Sequence, residues 1–133
     1  MSQEDVEVVR RGIDAWNQRE AEAWRAYATP EIEWIPGPAA AVEGIVYRGH
    51  DEVAKGLESV WQTFDEFHFV ESEVRDFGES VIWLGRAKAR GTASHVELDQ
   101  EYALRFVLRD GKVVTIQGFL GWSEALKAVG LQE

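Results

Sequence analysis

The sequence predicts an α+β domain built on one strongly bent antiparallel sheet, with helices laid across its inner face. Three observations carry this. Two long strand candidates, Ser80–Gly91 and His95–Leu108, are followed by a third, Lys112–Leu120, and a tight Arg109-Asp110-Gly111 turn joins the last two. The order is helix, helix, strand, helix, then four antiparallel strands, which is not the rhythm of a parallel βαβ sheet. With 133 residues and 45% hydrophobic content, the chain makes a single domain with a real core.

The last turn sets the inward face. Leu108-Arg109-Asp110-Gly111 fits a type I turn followed by a left-handed glycine that makes a bulge. With Leu108 paired to Lys112, Phe106 faces Val114, Leu104 faces Ile116 and Tyr102 faces Gly118. Alternation then collects Tyr102, Leu104, Phe106, Leu108, Val114, Ile116, Gly118 and Leu120 on the core side. The outer side carries Ala103, Val107, Val113, Thr115 and Phe119, interspersed with Arg105 and Gln117. The helices of the monomer should leave that row uncovered, so a homodimer through the outer sheet face is expected.

The remaining elements follow in order. Asp5 to about Arg19 is a helix, with Val6, Val9, Ile13 and Trp16 at helical spacing and acidic residues at its start. A second helix over Glu20–Ala28 places Ala21, Trp24 and Ala28 on one side, and Pro30 closes it. Glu31–Ile35 is a short strand with Ile32 and Trp34 alternating against Glu31 and Glu33. Pro36-Gly37-Pro38 ends it, Ala39-Ala40-Ala41 reads as loop, and Val42–Arg48 as a short edge. Asp51 is the predicted N-cap of a helix over Glu52–Phe64 that buries Val53, Leu57, Val60, Trp61 and Phe64. Gly56 in it permits a close approach to the sheet. Phe67–Phe77 is a strand, Asp76-Phe77-Gly78-Glu79 a turn, and Ser123–Ala128 a short helix ended by Gly130.

Composition excludes several classes of function. A formal charge of −10 opposes binding to nucleic acid or anionic membranes. The basic stripe Arg86, Lys88 and Arg90 occupies one strand face opposite Glu97, Asp99 and Glu101, which reads as cross-strand pairing. There is no cysteine, so neither a disulfide framework nor a thiol nucleophile is available. Met1-Ser2-Gln3-Glu4-Asp5 lacks the basic and apolar parts of a signal peptide and no run is long enough to span a bilayer, so a cytoplasmic location is expected. His50, His68 and His95 are scattered over different elements, without metal-ligand spacing. No nucleotide-binding glycine loop or nucleophile-elbow serine occurs, and no cofactor is expected.

The candidate residues therefore belong to a cavity. Trp34, Trp61 and Trp83 either line it or pack as core. Trp83 shares its face with Gly85 and Ala87, whose small side chains leave room beside the ring. Tyr102 points inward with a hydroxyl that either orients a ligand or bonds to backbone. The inward face between Trp83 and Tyr102 is the expected ligand site. Gln100 lies two residues before Tyr102 on the same face, and Tyr27 at the end of the second helix reaches toward the same space. Glu33 and Glu71 serve as general bases only if a bulge turns them inward.

Four segments carry a resemblance to a known family: Ala15-Trp16-Asn17-Gln18-Arg19-Glu20; Gly44 with Tyr47-Arg48-Gly49-His50; Leu108-Arg109-Asp110-Gly111-Lys112-Val113-Val114; and Glu124-Ala125-Leu126-Lys127-Ala128-Val129-Gly130-Leu131. The chain resembles the polyketide-cyclase-like (SnoaL-like) branch of the nuclear-transport-factor-two-like superfamily, relatives of ketosteroid isomerase and limonene epoxide hydrolase. The resemblance implies a cone, the bent sheet wrapped around three helices with a largely apolar cavity open at one end. It also implies a small-molecule cavity protein. That protein is a cofactor-independent cyclase or isomerase of an apolar carbonyl- or ring-containing metabolite, or a non-catalytic ligand-binding or association domain. The isomerase positions are empty here. Ile35 stands before Pro36 in place of the base aspartate, Arg11 or Gly12 in place of the helix tyrosine, and Ala103 or Leu104 in place of the second aspartate. Of the hydrolase arrangement, Asp99 and Arg105 exist but alternate outward.

Overall fold

A computed structural model describes residues 3–37 and 43–130. Helix α1 (Gln3–Asn17) buries Val9, Ile13 and Trp16, the stripe set by helical spacing. The second helix is shorter than its apolar pattern. A 3-10 turn at Ala21–Ala23 leads into a single α-turn, α2 (Trp24–Tyr27), and the chain is already extended at Ala28. Pro30 therefore lies inside strand β1 (Ala28–Ile35), where the pairing shifts register between Ala28 and Glu33 and a missing N–H is tolerated.

The Ala39-Ala40-Ala41 loop lies outside the described residues, as does Val42 at the head of the expected edge; Tyr47–Arg48 form strand β2. Helix α3 (Gly49–Thr63) starts before the expected Asp51 cap. Arg48 holds the cap position and donates its N–H to Glu52 Oε1 at 2.8 Å. Asp51 instead forms an ion pair with Arg25 at 2.6 Å. Strands β3 (Phe64–Asp76), β4 (Ser80–Gly91), β5 (Glu97–Arg109) and β6 (Lys112–Phe119) follow, then helix α4 (Trp122–Ala128).

The six strands form one sheet in the order β2-β1-β6-β5-β4-β3. It wraps α1 and α3 as a cone, with the main core between sheet and helices. Neighbours are antiparallel except β1 and β6, which run parallel through Glu33–Thr115, Trp34–Ile116 and Ile35–Gln117. The expected all-antiparallel sheet thus has one parallel seam. These strands are far apart in the chain, and no local turn dictates their relative direction.

The β5–β6 hairpin also departs from expectation. Arg109 pairs with Lys112, leaving a two-residue turn of Asp110 and Gly111 at φ +53° and +77°. Two left-handed residues in succession make a type I′ turn, whose twist suits the flanking strands, and aspartate enters that region more readily than most residues. The bulge falls further in. Val113 and Thr115 face Leu108 and Val107, and Val114 is the extra residue. Val113, expected outside, is consequently buried in the main core, whereas Val114 is only half-buried. Leu104, rather than Tyr102, faces Gly118, and Phe106 faces Ile116. Leu120, expected inward, is exposed.

The outer face is not bare. Ile82, Leu84, Ala103, Phe119 and Ala125 form a second, smaller core beneath α4. The Trp122 indole N–H donates to the Gly85 carbonyl at 3.2 Å, and the Trp122 backbone N–H to Glu101 Oε1 at 3.2 Å. The row from which a homodimer was expected therefore loses Ala103 and Phe119 to this core and Val113 to the interior. A seven-residue helix was too short to show from its own pattern which face of the sheet it would cover. Among the described residues, no helix is long and apolar enough to cross a membrane.

Two outcomes follow from the hairpin and the outer core. Gly111→Ala is expected to lose about 1 kcal/mol of stability, because alanine resists the left-handed φ; an unchanged urea midpoint would contradict the turn. Phe119→Ala is expected to cost about 3 kcal/mol, as for an aromatic ring removed from a packed interior. A loss below about 0.5 kcal/mol, the level of a surface substitution, would mean that the ring is not part of a core.

Candidate functional site

Trp16 is the hub of an aromatic cluster. Its ring centroid lies 5.0 Å from those of Phe67 and Phe69, 5.5 Å from Trp61 and 6.3 Å from Trp34. Most of these contacts are edge-to-face, the arrangement favoured by the ring quadrupoles. Gly56 allows α3 to close on this cluster as expected, since a Cβ there would come within 2.9 Å of the Trp34 ring and 3.1 Å of Tyr47.

Edge-to-face rings do not fill space completely, and a cavity of about 290 Å³ remains between helices and sheet. Trp16 and Ile13 of α1, Trp24 of α2, and Val53, Leu57 and Val60 of α3 make one side. Phe64, Phe67 and Phe69 of β3 make a second side. Trp34, Pro36, Tyr102, Leu104, Phe106 and Ile116 close the sheet side.

Of the residues singled out by sequence, Trp34 and Tyr102 lie on this wall. Trp61 packs against Trp16, away from the wall. Trp83 is wholly buried and meets Phe69 edge-on at 5.3 Å. Phe69 also stacks on Tyr102 at 5.5 Å, so a phenyl ring occupies the space between Trp83 and Tyr102 where a ligand was expected. The Gln100 amide donates to the carbonyls of Glu101 at 3.0 Å and Leu120 at 3.5 Å, and Tyr27 is half-buried; neither lines the cavity. Sequence reasoning missed Trp16, Trp24, Phe67 and Phe69 as wall residues. Periodicity placed them inward, but a residue facing a void and one facing a neighbour have the same periodicity.

Among the described wall residues, Tyr102 is the one ionisable side chain. Its hydroxyl donates to the Pro36 carbonyl at 2.7 Å. It does so above Gly118, where a Cβ would collide with both the hydroxyl and that carbonyl. Burial pushes the phenol up to about 12, because the phenolate would lose its water.

The other polar candidates are engaged elsewhere. Glu33 points outward and pairs with Arg48 at 3.0 Å. Glu71 shares the side of β3 that carries Phe69, yet Arg10 binds both of its oxygens, at 3.1 and 2.8 Å. His50 donates from Nε2 to the Ala28 carbonyl at 3.1 Å. The basic stripe faces the acidic one as expected: Arg86 opposes Glu101, Lys88 opposes Asp99 and Arg90 opposes Glu97. Arg86 bonds diagonally to Asp99 at 2.6 Å, and Arg90 pairs with Asp65 and Glu66 at 3.6 and 3.5 Å. A shallow groove of about 730 Å³ over these strands is larger than the inner cavity, but it is open and lined by charged side chains of both signs.

Comparison with known proteins agrees with this architecture. A family model for the SnoaL-like domain matches residues 9–116. A solved structure of a candidate SnoaL-like polyketide cyclase from Jannaschia sp. CCS1 superposes with a TM-score of 0.78 at 20% identity, covering 90% of this chain and 88% of the other. An NTF2-like protein of unknown function from Burkholderia pseudomallei K96243 gives 0.79 at 20% identity, with 98% and 100% covered. A hypothetical protein with a ketosteroid isomerase-like fold from Catenulispora acidiphila DSM 44928, in complex with trimethylamine, gives 0.77 at 14%, with 94% and 93% covered. At such identities the likeness carries the fold alone. No curated protein matches the chain.

The Tyr102 hydroxyl generates a pH prediction. Unfolded tyrosine ionises near 10 and the folded group at about 12, so the folded state holds the extra proton between those values. Its contribution is present below pH 10 and is lost as pH rises through 12. Tyr102→Phe is expected to cost about 1 kcal/mol at neutral pH, with the Pro36 carbonyl left unpaired, and to flatten this alkaline loss. Urea melts across pH 9–12 check both; an equally steep loss in the variant would assign it to another group.

Proposed function

The chain belongs to the SnoaL-like domain family, and from that premise we propose that it binds a neutral, largely apolar, ring-containing small molecule in the inner cavity. The observation that carries this reading is the character of the wall: aromatic and aliphatic side chains from seven elements around about 290 Å³. Pockets of this size and composition suit small organic ligands. A two-ring molecule that buries about 250 Å² there gains about 6 kcal/mol from burial, before the cost of association is subtracted.

A cyclase or isomerase reaction is supported at family level. It would need a group that takes a proton beside a carbonyl at working pH. Tyr102 is a poor base because its hydroxyl is already donating to Pro36 and its phenol is pushed up to about 12. The geometry therefore favours binding over acid–base chemistry by the described wall.

The test is titration of the protein with tetralin, 1-tetralone and naphthalene, followed by tryptophan fluorescence and calorimetry. At least one is expected to bind with one-to-one stoichiometry. Val60→Trp, which puts an indole into the cavity from α3, is expected to weaken that binding tenfold or more while leaving a folded protein. Absence of binding by all three, or unchanged affinity in the folded Val60→Trp variant, would overturn the reading.

A further inference from the structure

With Ala103 and Phe119 taken up beneath α4, the outer side of the sheet keeps two open rows across β2, β1, β6 and β5. One runs Arg48, Glu33, Thr115, Val107, and the next Ile35, Gln117, Arg105. Ile35, Thr115, Gln117, Val107 and Arg105 are half-buried. Arg105 is the anomaly among them. It stands between Gln117 and Ile82 and has no ion pair or hydrogen bond with any described residue, in a chain with 24 acidic side chains. Its Nε is sealed from solvent, and its Nη groups are open. The two rows hold a single carboxylate, Glu33, against Arg48 and Arg105, so they form a positive patch on a chain of net charge −10. A second copy meets less repulsion here than over the rest of the surface.

We propose that a second copy of the chain docks on this patch about a two-fold axis along β6, with the open Nη edge of each Arg105 paired to the partner subunit's Glu33. The sheet order gives the arrangement. Strands β1 and β5 flank β6 on its two sides, so an axis along β6 lays β5 of one copy over β1 of the other. Thr115 and Gln117 then meet their own counterparts, as residues on a two-fold axis must. Arg105 arrives over the partner subunit's Ile35, one two-residue step of about 7 Å from the partner subunit's Glu33, within the swing of a long side chain. That carboxylate has room for it. In each copy Glu33 takes Arg48 Nε on Oε2 at 3.0 Å, and Oε1 is unused. The planar, weakly hydrated guanidinium is the cation best suited to such a pair between subunits. The occupant is a second copy and not an acidic peptide, because the carboxylate that Arg105 lacks lies on this same face, where the two-fold delivers it.

The test is sedimentation and light scattering across the micromolar range. Wild-type protein is expected to reach twice the chain mass. Arg105→Glu and Glu33→Arg are each expected to weaken the dimer tenfold or more, since each sets like charges against one another twice over. The variant carrying both reversals is expected to recover most of that loss. Lys88→Glu makes the same change in net charge on the uninvolved rows of β4, and it is expected to leave association unchanged. The chain has no cysteine, so Gln117→Cys supplies a single thiol beside the axis. A short bismaleimide is expected to join two such chains, and to leave chains carrying Lys88→Cys unjoined. This arm decides if Arg105→Glu does not fold. A monomer throughout the range overturns the proposal. So does a dimer that folded Arg105→Glu leaves as tight as before, a double reversal without recovery, or a dimer that Gln117→Cys does not cross-link.

Discussion

The structure depends on a clasp between helix α1 and strand β3. Asn17 donates from its amide to the Phe69 carbonyl at 3.0 Å and accepts the Phe69 N–H at 2.8 Å. Strand β3 is the edge of the sheet, and an edge leaves backbone donors and acceptors unpaired. Asn17 satisfies one residue's pair of them and fixes the end of α1 against the strand. Two residues on, the Arg19 guanidinium donates to the carbonyls of Trp61, Phe64 and Asp65, covering the junction where α3 gives way to β3. One short stretch, Ala15 to Glu20, therefore ties together both long helices and the edge strand.

That clasp also decides where the cavity is. Trp16 precedes Asn17, so fixing the asparagine on β3 drives the indole in among Phe67, Phe69 and Trp61. The cluster props the helices off the sheet, and the space left behind has walls of ring edges and aliphatic branches. The family fold has been kept here with an interior in which the described ionisable groups, apart from one tied phenol, face away.

Tyr102 shows how one residue can satisfy a sequence argument and change its meaning in the structure. Its inward direction follows from strand alternation. Its partner does not, because the Pro36 carbonyl is reached only through the parallel pairing of β1 with β6 and across Gly118. A hydroxyl that could have oriented a ligand instead joins the end of β1 to the middle of the sheet. Glu71 also changes meaning: it shares the side of β3 that carries Phe69, and a bidentate arginine turns it into a link between α1 and the sheet.

The sequence by itself determined most of the elements and, away from the last hairpin, their sidedness. Ser80–Gly91 matches its strand end to end. Val9, Ile13 and Trp16 of α1 and Val53, Leu57 and Trp61 of α3 are buried as their spacing predicts. Val6 and Val60 are half-buried at the margins, and Phe64 opens β3 instead of ending the helix. Tyr102, Leu104, Phe106 and Ile116 lie where alternation puts them. These are legible because helical and strand periods are local, and burial rewards every residue on a face in the same direction. Tertiary structure alone decided the rest: the direction of β1 against β6, the type I′ turn and displaced bulge that brought Val113 inside, α4 closing over Phe119, and Phe69 filling the place beside Trp83. Each depends on what arrives from a distant part of the chain. A hydrophobic pattern records that a side chain leaves water, and it holds no record of whether the chain meets a neighbour or the wall of a cavity.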